Sequence, residues 1–350
     1  MIPGPEHDRD HDTILDIGVI GAGSWGTALA NLLAHKGFKV TIWARNNQLV
    51  DAINRQHTNP LYLEGFTLSN NLRASNSIVE TVVGKQMILS ASPSHVLRHV
   101  MEQARDHIPV GVPIVSASKG IENDSLMIVS EILEDVLPLR CHPYLAYLSG
   151  PSFAHEVAIN TPTLVVIASY SQRLATKVQR TFLTDTFRAY TSHDVVGVEC
   201  GGALKNVIAI ASGVVTGLGF GHNATAAIIT RGLNEITRLA TRKGANPLTL
   251  AGLAGMGDLV LTCTGGLSRN RTVGLKLGQG MTLSDILSDM TMVAEGIKTS
   301  QSVFDLSRQL DVEMPICDEV YRVLYEDKPV KQAISTLMSR DPKEEMRFYS

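Results

Sequence analysis

A glycine-rich loop near the start of the chain constrains the fold more than any other feature. Gly21-Ala22-Gly23-Ser24-Trp25-Gly26 has the pattern G-x-G-x-x-G. The apolar run Ile17–Ile20 leads into the loop, the helix-like stretch Ser24–His35 follows it, and a second strand is expected at Lys39–Trp43. In such a β-α-β unit the loop and the helix N-terminus receive a pyrophosphate. The pattern therefore predicts a dinucleotide site in a Rossmann-type domain.

Each glycine of this loop has a separate task in that interpretation. Gly21 permits the tight turn, Gly23 lets the backbone approach the pyrophosphate, and Gly26 lets the helix pack closely on the sheet. The alternative is a glycine-rich turn with no ligand, because the chain has 29 glycines and the bare pattern is common. The flanking strands and helix favour the dinucleotide interpretation.

Apolar runs alternate with helix-like stretches through the first half of the chain. Further strands are expected at Met87–Ala91, Pro113–Ser118, Leu145–Leu148 and Thr163–Ser169. This alternation predicts an α/β fold with a doubly wound, mostly parallel sheet. From about residue 196 the pattern is helical, with helices expected at 199–218, 223–243, 268–279, 294–310, 315–326 and 329–339. An all-α domain is therefore expected to follow the Rossmann-type domain.

The length of 350 residues suits two domains. We expect a dinucleotide-binding domain over residues 15–193 and a helical substrate domain over 194–340. A disordered tail is expected over 1–14 and a charged tail over 341–350.

Composition argues against several classes of protein. A net charge of -3 with 19% charged residues disfavours a broad nucleic-acid-binding face. The N-terminus lacks the apolar stretch of a signal peptide, and the most apolar run, around Val207–Val215, is too short to span a bilayer. The four cysteines are far apart and have no metal-ligand spacing, which indicates reduced thiols in a cytoplasmic protein without a metal site.

The end of the second strand bears on the type of dinucleotide. NAD would favour an acidic residue there, but Trp43 is followed by Ala44-Arg45-Asn46-Asn47, and the first acid is Asp51. Arg45 could meet a 2′-phosphate, so the sequence favours NADP while leaving NAD open. The alternative is that Arg45 is a solvated loop residue.

Two lysines lie in unusual surroundings. Lys119 follows a predicted strand, at the edge where such sheets bind ligands, although a lone lysine there is commonly a surface residue. Lys205 lies in a helix that is apolar or small on all sides. Burial would lower its pKa toward the range of an acid–base catalyst, whereas a side chain reaching past the helix end would stay solvated.

A third stretch combines Asp258, after a glycine-rich turn, with Ser268-Arg269-Asn270 at the start of a predicted helix. A helix N-terminus beside an arginine suits a phosphate group. The ordinary alternative is Ser268 as an N-cap next to solvated arginines.

Together these stretches resemble the bacterial NAD(P)-dependent glycerol-3-phosphate dehydrogenase family. The matching segments span about residues 17–330 in the family's order, and they are GAGSWGTALA (21–30), SASKGIE (116–122), LSGPSFAHEV (148–157), GGALKNVIAI (201–210), TRGLNEI (230–236), GLAGMGDLVLTCTG (252–265), SRNRTVG (268–274) and VAEGIKT (293–299). Ser152 departs from the family's frequent threonine but keeps the hydroxyl, and residues 1–14 have no counterpart.

The resemblance implies interconversion of dihydroxyacetone phosphate and sn-glycerol 3-phosphate, supplying phospholipid synthesis. It implies dinucleotide contacts for Ser24, Trp25, Arg45, Lys119, Ala154, Arg269, Val293 and Glu295. It implies substrate contacts for Lys119, Gly150, Ser152, Lys205, Asp258, Ser268, Arg269 and Asn270. Asn206 and Thr262 align with further polar residues near the substrate hydroxyls in the broader family.

The resemblance also makes Lys205 the proton acceptor, and Lys119 and Asp258 complete the expected catalytic group. We expect Lys119 to add positive potential, Asp258 to orient Lys205 or hold a substrate hydroxyl, and Arg269 to grip the phosphate. The expected partner is thus a small phosphorylated three-carbon substrate, without nucleic acid or membrane insertion, and a homodimer is compatible with the sequence.

Two alternatives come from other classes of function. A related two-domain reductase of a hydroxy or keto acid would share the Rossmann domain and the buried-helix lysine. A dinucleotide-sensing regulatory protein would keep the glycine loop but have no use for Lys205, Asp258 and Arg269 together.

Overall fold

The computed structural model describes residues 15–290, 294–342 and 344–345. The expected tail over 1–14 and most of the one over 341–350 lie outside these residues, as does Val293. The limits of both tails and of the two domains stay predictions.

Within the described residues, eight strands form one sheet. They are β1 Asp16–Ile20, β2 Lys39–Trp43, β3 Leu72–Ser75, β4 Met87–Ser90, β5 Ile114–Ser116, β6 Leu145–Ser149, β7 Thr163–Ala168 and β8 Phe187–Ser192. The strand order is β3-β2-β1-β4-β5-β6-β7-β8, and every neighbouring pair is parallel except β6 with β7. The predicted mostly parallel, doubly wound sheet is confirmed.

Helices separate the strands of this sheet and then continue alone beyond β8. They are α1 Ser24–His35, α2 Asn47–Asp51, α3 Ile78–Val82, α4 Ser94–Ala104, α5 Val129–Val136, α6 Ala154–Ala158, α7 Gln172–Phe182, α8 Val195–Gly217, α9 His222–Arg242, α10 Asp258–Thr264, α11 Arg269–Gly278, α12 Leu283–Ser288, α13 Glu295–Gln309, α14 Pro315–Tyr325 and α15 Val330–Met338. Short π-helical turns lie at Ala52–Gln56 and Leu253–Gly257, and 3₁₀ turns at Leu139–Tyr144 and Pro247–Ala251. The predicted helical second part is confirmed.

Apolar side chains bury both faces of the sheet. Leu29 of α1 and Phe182 of α7 belong to one core cluster, whereas Leu97 of α4 and Leu133 of α5 belong to another. Strands covered on both faces need apolar residues at successive positions, which explains the continuous apolar runs in the sequence.

Helix α8 is the centre of the C-terminal half and packs against α9, α10, α11 and α13. It begins at Val195, earlier than the expected residue 199, because the side chain of Asp194 caps it by accepting the Gly197 N–H. By length and composition α8 could cross a membrane, unlike the shorter apolar run around Val207–Val215 considered in the sequence. However, 89% of its most apolar window is buried inside the protein, as expected for a core helix.

Candidate active site

The candidate site lies at the edge of the sheet where β1, β4, β5 and β6 have their carboxyl ends. The glycine loop follows β1, Lys119 follows β5, and Gly150 follows β6. The strand order reverses between β1 and β4. Crevices at such a reversal are where open α/β sheets bind their ligands.

The three loop glycines have different surroundings. Gly21 has φ +113°, a conformation that side chains disfavour. A Cβ at Gly26 would lie 1.9 Å from the Gly21 carbonyl oxygen, so only glycine lets α1 start this close to the strand end. A Cβ at Gly23 would meet no described atom within 4 Å, so the backbone there is open to a ligand.

The start of α1 has the features of an anion site. In the described part of the chain no side chain caps α1 and its first turn carries no acid, so its N–H groups can face an anion. The buried indole N–H of Trp25 has no described partner, a state that a bound acceptor group would relieve. Ser24 opens this helix, Ala154 opens α6, which packs against α1, and Arg45 is exposed just beyond β2. These residues fit a dinucleotide seated on the loop.

A buried carboxylate joins the two lysines. Asp258 is 1% exposed; its Oδ2 accepts a hydrogen bond from Lys119 Nζ at 2.7 Å, and its Oδ1 accepts one from Lys205 Nζ. Lys119 also donates to the Gly150 carbonyl oxygen at 3.1 Å, and Lys205 donates to Thr262 Oγ1 at 2.9 Å. The side chains of Lys119 and Lys205 are 14% and 9% exposed. Lys119 is therefore not a surface lysine, and the Lys205 side chain does not reach past the helix end into solvent.

Burial lowers the pKa of Lys205 to about 8, because removing water disfavours the ammonium form. The Asp258 carboxylate opposes this shift, and the Lys119 ammonium reinforces it by repulsion. An amine whose pKa lies this close to neutrality is able both to give and to take a proton at ordinary pH.

Lysine and carboxylate meet because α8 approaches its neighbours closely. A Cβ at Gly201 would lie 2.3 Å from the Ala254 carbonyl oxygen, and one at Gly202 would lie 2.6 Å from Ser149 Oγ. A side chain at position 201 would push α8 away from the backbone that leads into Asp258, whereas one at position 202 would displace the Ser149 side chain of β6. Gly201 therefore lets α8 lie close to the turn before Asp258.

The start of α11 forms the other side of the site. Ser268 is buried and caps the helix by accepting the N–H three residues on, as the N-cap alternative predicts, while Arg269 is exposed beside it. Asn270 is buried; its Nδ2 donates to Asn206 Oδ1 at 2.9 Å, and its Oδ1 accepts the Gly296 N–H at 2.9 Å. Asn270 and Asn206 thus tie the arginine-bearing helix start to α8 and α13.

Glu295 and Ser152 complete the predicted set. Glu295 opens α13 and accepts the Ser94 backbone N–H; burial raises the pKa of its carboxyl group, and the charges of Arg269, Lys119 and Lys205 oppose that rise. Ser152 Oγ donates to the Gly150 carbonyl oxygen at 3.0 Å. Val293 lies outside the described residues.

One residue of this region is missed by the sequence analysis. Asn59 is fully buried, and its side-chain amide donates to the carbonyl oxygen of Ala22 inside the glycine loop. The Asn59-Pro60 dipeptide indicates only a turn, and nothing in its local pattern points to a loop that lies far back in the chain.

Two family models match this chain. The N-terminal part of NAD-dependent glycerol-3-phosphate dehydrogenase matches residues 16–175, and the C-terminal part matches residues 194–335. The chain belongs to this family. The resemblance inferred from the motifs is thereby confirmed, and the match favours it over the hydroxy- or keto-acid reductase and the regulatory protein.

Individual relatives of this family agree. The glycerol-3-phosphate dehydrogenase (NAD(P)+) of Myxococcus xanthus is 57% identical over 94% of this chain and 98% of its own length. That of Geobacter sulfurreducens is 56% identical over 94% and 98%. The crystal structure of the Coxiella burnetii glycerol-3-phosphate dehydrogenase has a TM-score of 0.88 and 37% identity, covering 93% of this chain and 99% of that one. The predicted cofactor class, NAD or NADP, is confirmed with the fold.

Proposed function

We propose that this chain interconverts dihydroxyacetone phosphate and sn-glycerol 3-phosphate, with NAD(P) as hydride carrier and Lys205 as general acid and base. The observation that carries the proposal is the buried Asp258 carboxylate held by Lys205 and Lys119 at the carboxyl ends of the strands. The family membership supports the substrate class.

Proton transfer at the substrate oxygen falls to Lys205. The bound reduced nicotinamide supplies the hydride that the carbonyl carbon receives. Lys205, as ammonium, gives its proton to the carbonyl oxygen as negative charge develops there. In the opposite direction neutral Lys205 takes the hydroxyl proton. Lys119 adds positive potential, and Asp258 fixes the direction of both side chains.

Phosphate binding falls to the start of α11. Arg269 offers a guanidinium fork beside the helix N-terminus, and the Ser268 hydroxyl keeps a proton to donate, because its cap interaction uses the oxygen as an acceptor. Asn270 holds this helix start against α8 and α13. Gripping the phosphate fixes the reacting carbon at a set distance from Lys205.

The dinucleotide is proposed to lie along the glycine loop, Gly21–Gly26, with Ser24, Trp25, Arg45, Ala154, Val293 and Glu295 around it. We further propose a cytoplasmic enzyme that supplies phospholipid synthesis and acts without nucleic acid, metal or membrane insertion; a homodimer is compatible with this function.

The test of this function is an absorbance assay at the band of reduced nicotinamide. Dihydroxyacetone phosphate is supplied with NADH and, separately, with NADPH, and α-keto acids replace it in parallel reactions. Oxidation of the cofactor that depends on dihydroxyacetone phosphate is expected. Turnover with keto acids alone would favour the rival reductase, and no turnover with any substrate would contradict an enzymatic role.

Arg45→Ala is expected to raise the KM for NADPH by about 10-fold and to leave the KM for NADH within about threefold, because one charge-assisted contact to the 2′-phosphate is lost. Steady-state assays with each cofactor measure the ratio. The control is Arg55→Ala, since Arg55 is also exposed and its ion pair with Asp51, at 3.5 Å, is a weak surface contact. Equal effects on both cofactors would contradict a 2′-phosphate role for Arg45.

The pH profile is expected to have opposite slopes in the two directions. Reduction of the ketone needs protonated Lys205, so its kcat should fall as pH rises through a pKa of about 8. Oxidation of the alcohol needs neutral Lys205, so its kcat should rise through the same region. Stopped or continuous assays in both directions measure the profiles. Parallel slopes would argue that Lys205 does not exchange the proton.

A further inference from the structure

We propose that Asn59 is a positioning residue for the dinucleotide, because it fixes the orientation of the Ala22–Gly23 peptide in the glycine loop. Asn59 has no catalytic group and lies in the turn that follows the π-helical turn Ala52–Gln56. The inference rests on the proposed seating of the dinucleotide on this loop, and it assigns the loop's shape to a residue far from the G-x-G-x-x-G pattern.

Hydrogen bonds join the Asn59 side chain, the Thr27 hydroxyl and the Ala22 carbonyl group to one another. Its Nδ2 donates to the Ala22 carbonyl oxygen at 3.0 Å and to Thr27 Oγ1 at 2.8 Å. Thr27 Oγ1 in turn donates to the same carbonyl oxygen at 3.3 Å. Asn59 Oδ1 accepts the Tyr62 N–H at 3.0 Å, which sets the amide's orientation. The Nδ2 group of Asn59 therefore bonds the glycine loop and the start of α1, whereas its Oδ1 bonds the turn that follows Asn59.

These hydrogen bonds are shielded from solvent. Asn59 and Thr27 are both 0% exposed, so water does not replace a lost bond. Ala22 is also buried, and its carbonyl group would be left with the longer Thr27 contact alone among these three residues. A buried carbonyl group that loses its partner tends to turn toward another donor or toward solvent.

The direction of this carbonyl group decides what Gly23 presents to a ligand. In a trans peptide the C=O of one residue and the N–H of the next point in opposite directions, and this chain has no cis peptide bond among its described residues. Because Asn59 and Thr27 hold the Ala22 carbonyl oxygen on the protein side, the Gly23 N–H points to the opposite side. Gly23 is the loop position with open space around it, so this N–H faces the place where a pyrophosphate would lie.

The test is the equilibrium binding of NADPH, measured by its fluorescence, to the full-length protein and its Asn59→Ala variant. Loss of the amide is expected to raise the Kd for NADPH by roughly 10-fold or more. The kcat at saturating NADPH and the KM for dihydroxyacetone phosphate are expected to stay within about threefold, because the reacting end of the site is untouched.

Asn54→Ala is the control; Asn54 matches Asn59 in its number of side-chain hydrogen bonds to backbone, although Asn54 is exposed and Asn59 is buried. Asn54 lies in the same segment, and its side chain bonds both the N–H and the carbonyl oxygen of Ala74 in β3, at 2.7 and 3.0 Å. The Asn54→Ala variant loses two side-chain hydrogen bonds to backbone, as Asn59→Ala does, but neither of them is to the glycine loop. Its Kd for NADPH should therefore stay near that of the wild type. If both asparagine variants weaken NADPH binding equally, the effect is general destabilisation and the proposal is wrong.

Thr27→Val decides the case if Asn59→Ala does not fold, since valine keeps the shape and removes the hydroxyl that shares the Ala22 carbonyl oxygen. Weaker NADPH binding by this variant is expected, and in the double variant the two effects should combine to less than their product. Wild-type affinity in both single variants would overturn the inference. A wild-type protein that binds neither NADPH nor NADH would instead overturn the proposed function, and this inference with it.

Discussion

Lys205→Met is expected to lower kcat by about 100-fold or more in both directions, the usual scale for removing a general acid or base. Methionine has a similar length and no charge, and Asp258 keeps Lys119 as a partner at 2.7 Å. The buried carboxylate is therefore not left without a cation, which favours a folded variant. Steady-state turnover measures the loss, and the Kd for NADPH shows whether the dinucleotide site is intact.

The control for this substitution is Lys243→Met. Lys243 is another lysine of the helical half with a side chain only 12% exposed, and its Nζ lies 2.8 Å from Glu131 Oε1. It shares the burial and the ion pair of Lys205 but lies outside the candidate site. Its kcat should stay within about threefold of the wild-type value. Turnover of a folded Lys205→Met protein near the wild-type rate would remove Lys205 from the chemistry.

The central strands were predictable because burial on both faces demands apolar residues at successive positions. The two edge strands were not. In β3, Leu72–Ser75, and β8, Phe187–Ser192, exposed polar residues such as Arg73 and Arg188 interrupt the apolar run. Such segments look like loops in the sequence, and pairing with the neighbouring strand is what makes them strands.

The direction of β7 in the sheet is likewise not predictable from its local sequence pattern. Its apolar run is evident in the sequence, but it pairs antiparallel with β6. The link between these strands contains only the short helix α6, Ala154–Ala158. Residues 150–162 form this link, about the minimum length of a parallel crossover, so neither the link length nor the strand composition predicts the direction of β7.

The site residues also differ in how far the sequence pattern predicts them. Lys205 could be singled out because a charged residue in an all-round apolar helix is unusual. Its partner could not be deduced from spacing, because Asp258 lies 53 residues further along the chain. The expected turn before Asp258 is present at Leu253–Gly257, and α10 begins at Asp258, whose side chain is buried. Tertiary packing of α8 against α10 is what creates the pair.

Arg269→Ala is expected to raise the KM for dihydroxyacetone phosphate by about 10- to 100-fold, the scale of hydrogen bonds between charged groups. For unphosphorylated dihydroxyacetone, kcat/KM should change by less than about threefold, because that substrate has no phosphate for the guanidinium to hold. The comparison of the two substrates separates phosphate binding from general damage to the site. The Kd for NADPH, measured on the same variant, separates it from the dinucleotide contact that the family resemblance implies.

Lys276→Ala provides the matched control for Arg269. Lys276 lies in the same helix, α11, with its Nζ 3.4 Å from Asp289 Oδ2, and its side chain is 28% exposed. Its removal takes one positive charge from α11 at the end opposite Ser268, so a long-range effect of net charge would appear in both variants. A rise in KM for dihydroxyacetone phosphate with Arg269→Ala alone is expected. An equal loss of kcat/KM for the phosphorylated and unphosphorylated substrates would mean that Arg269 shapes the site without binding the phosphate.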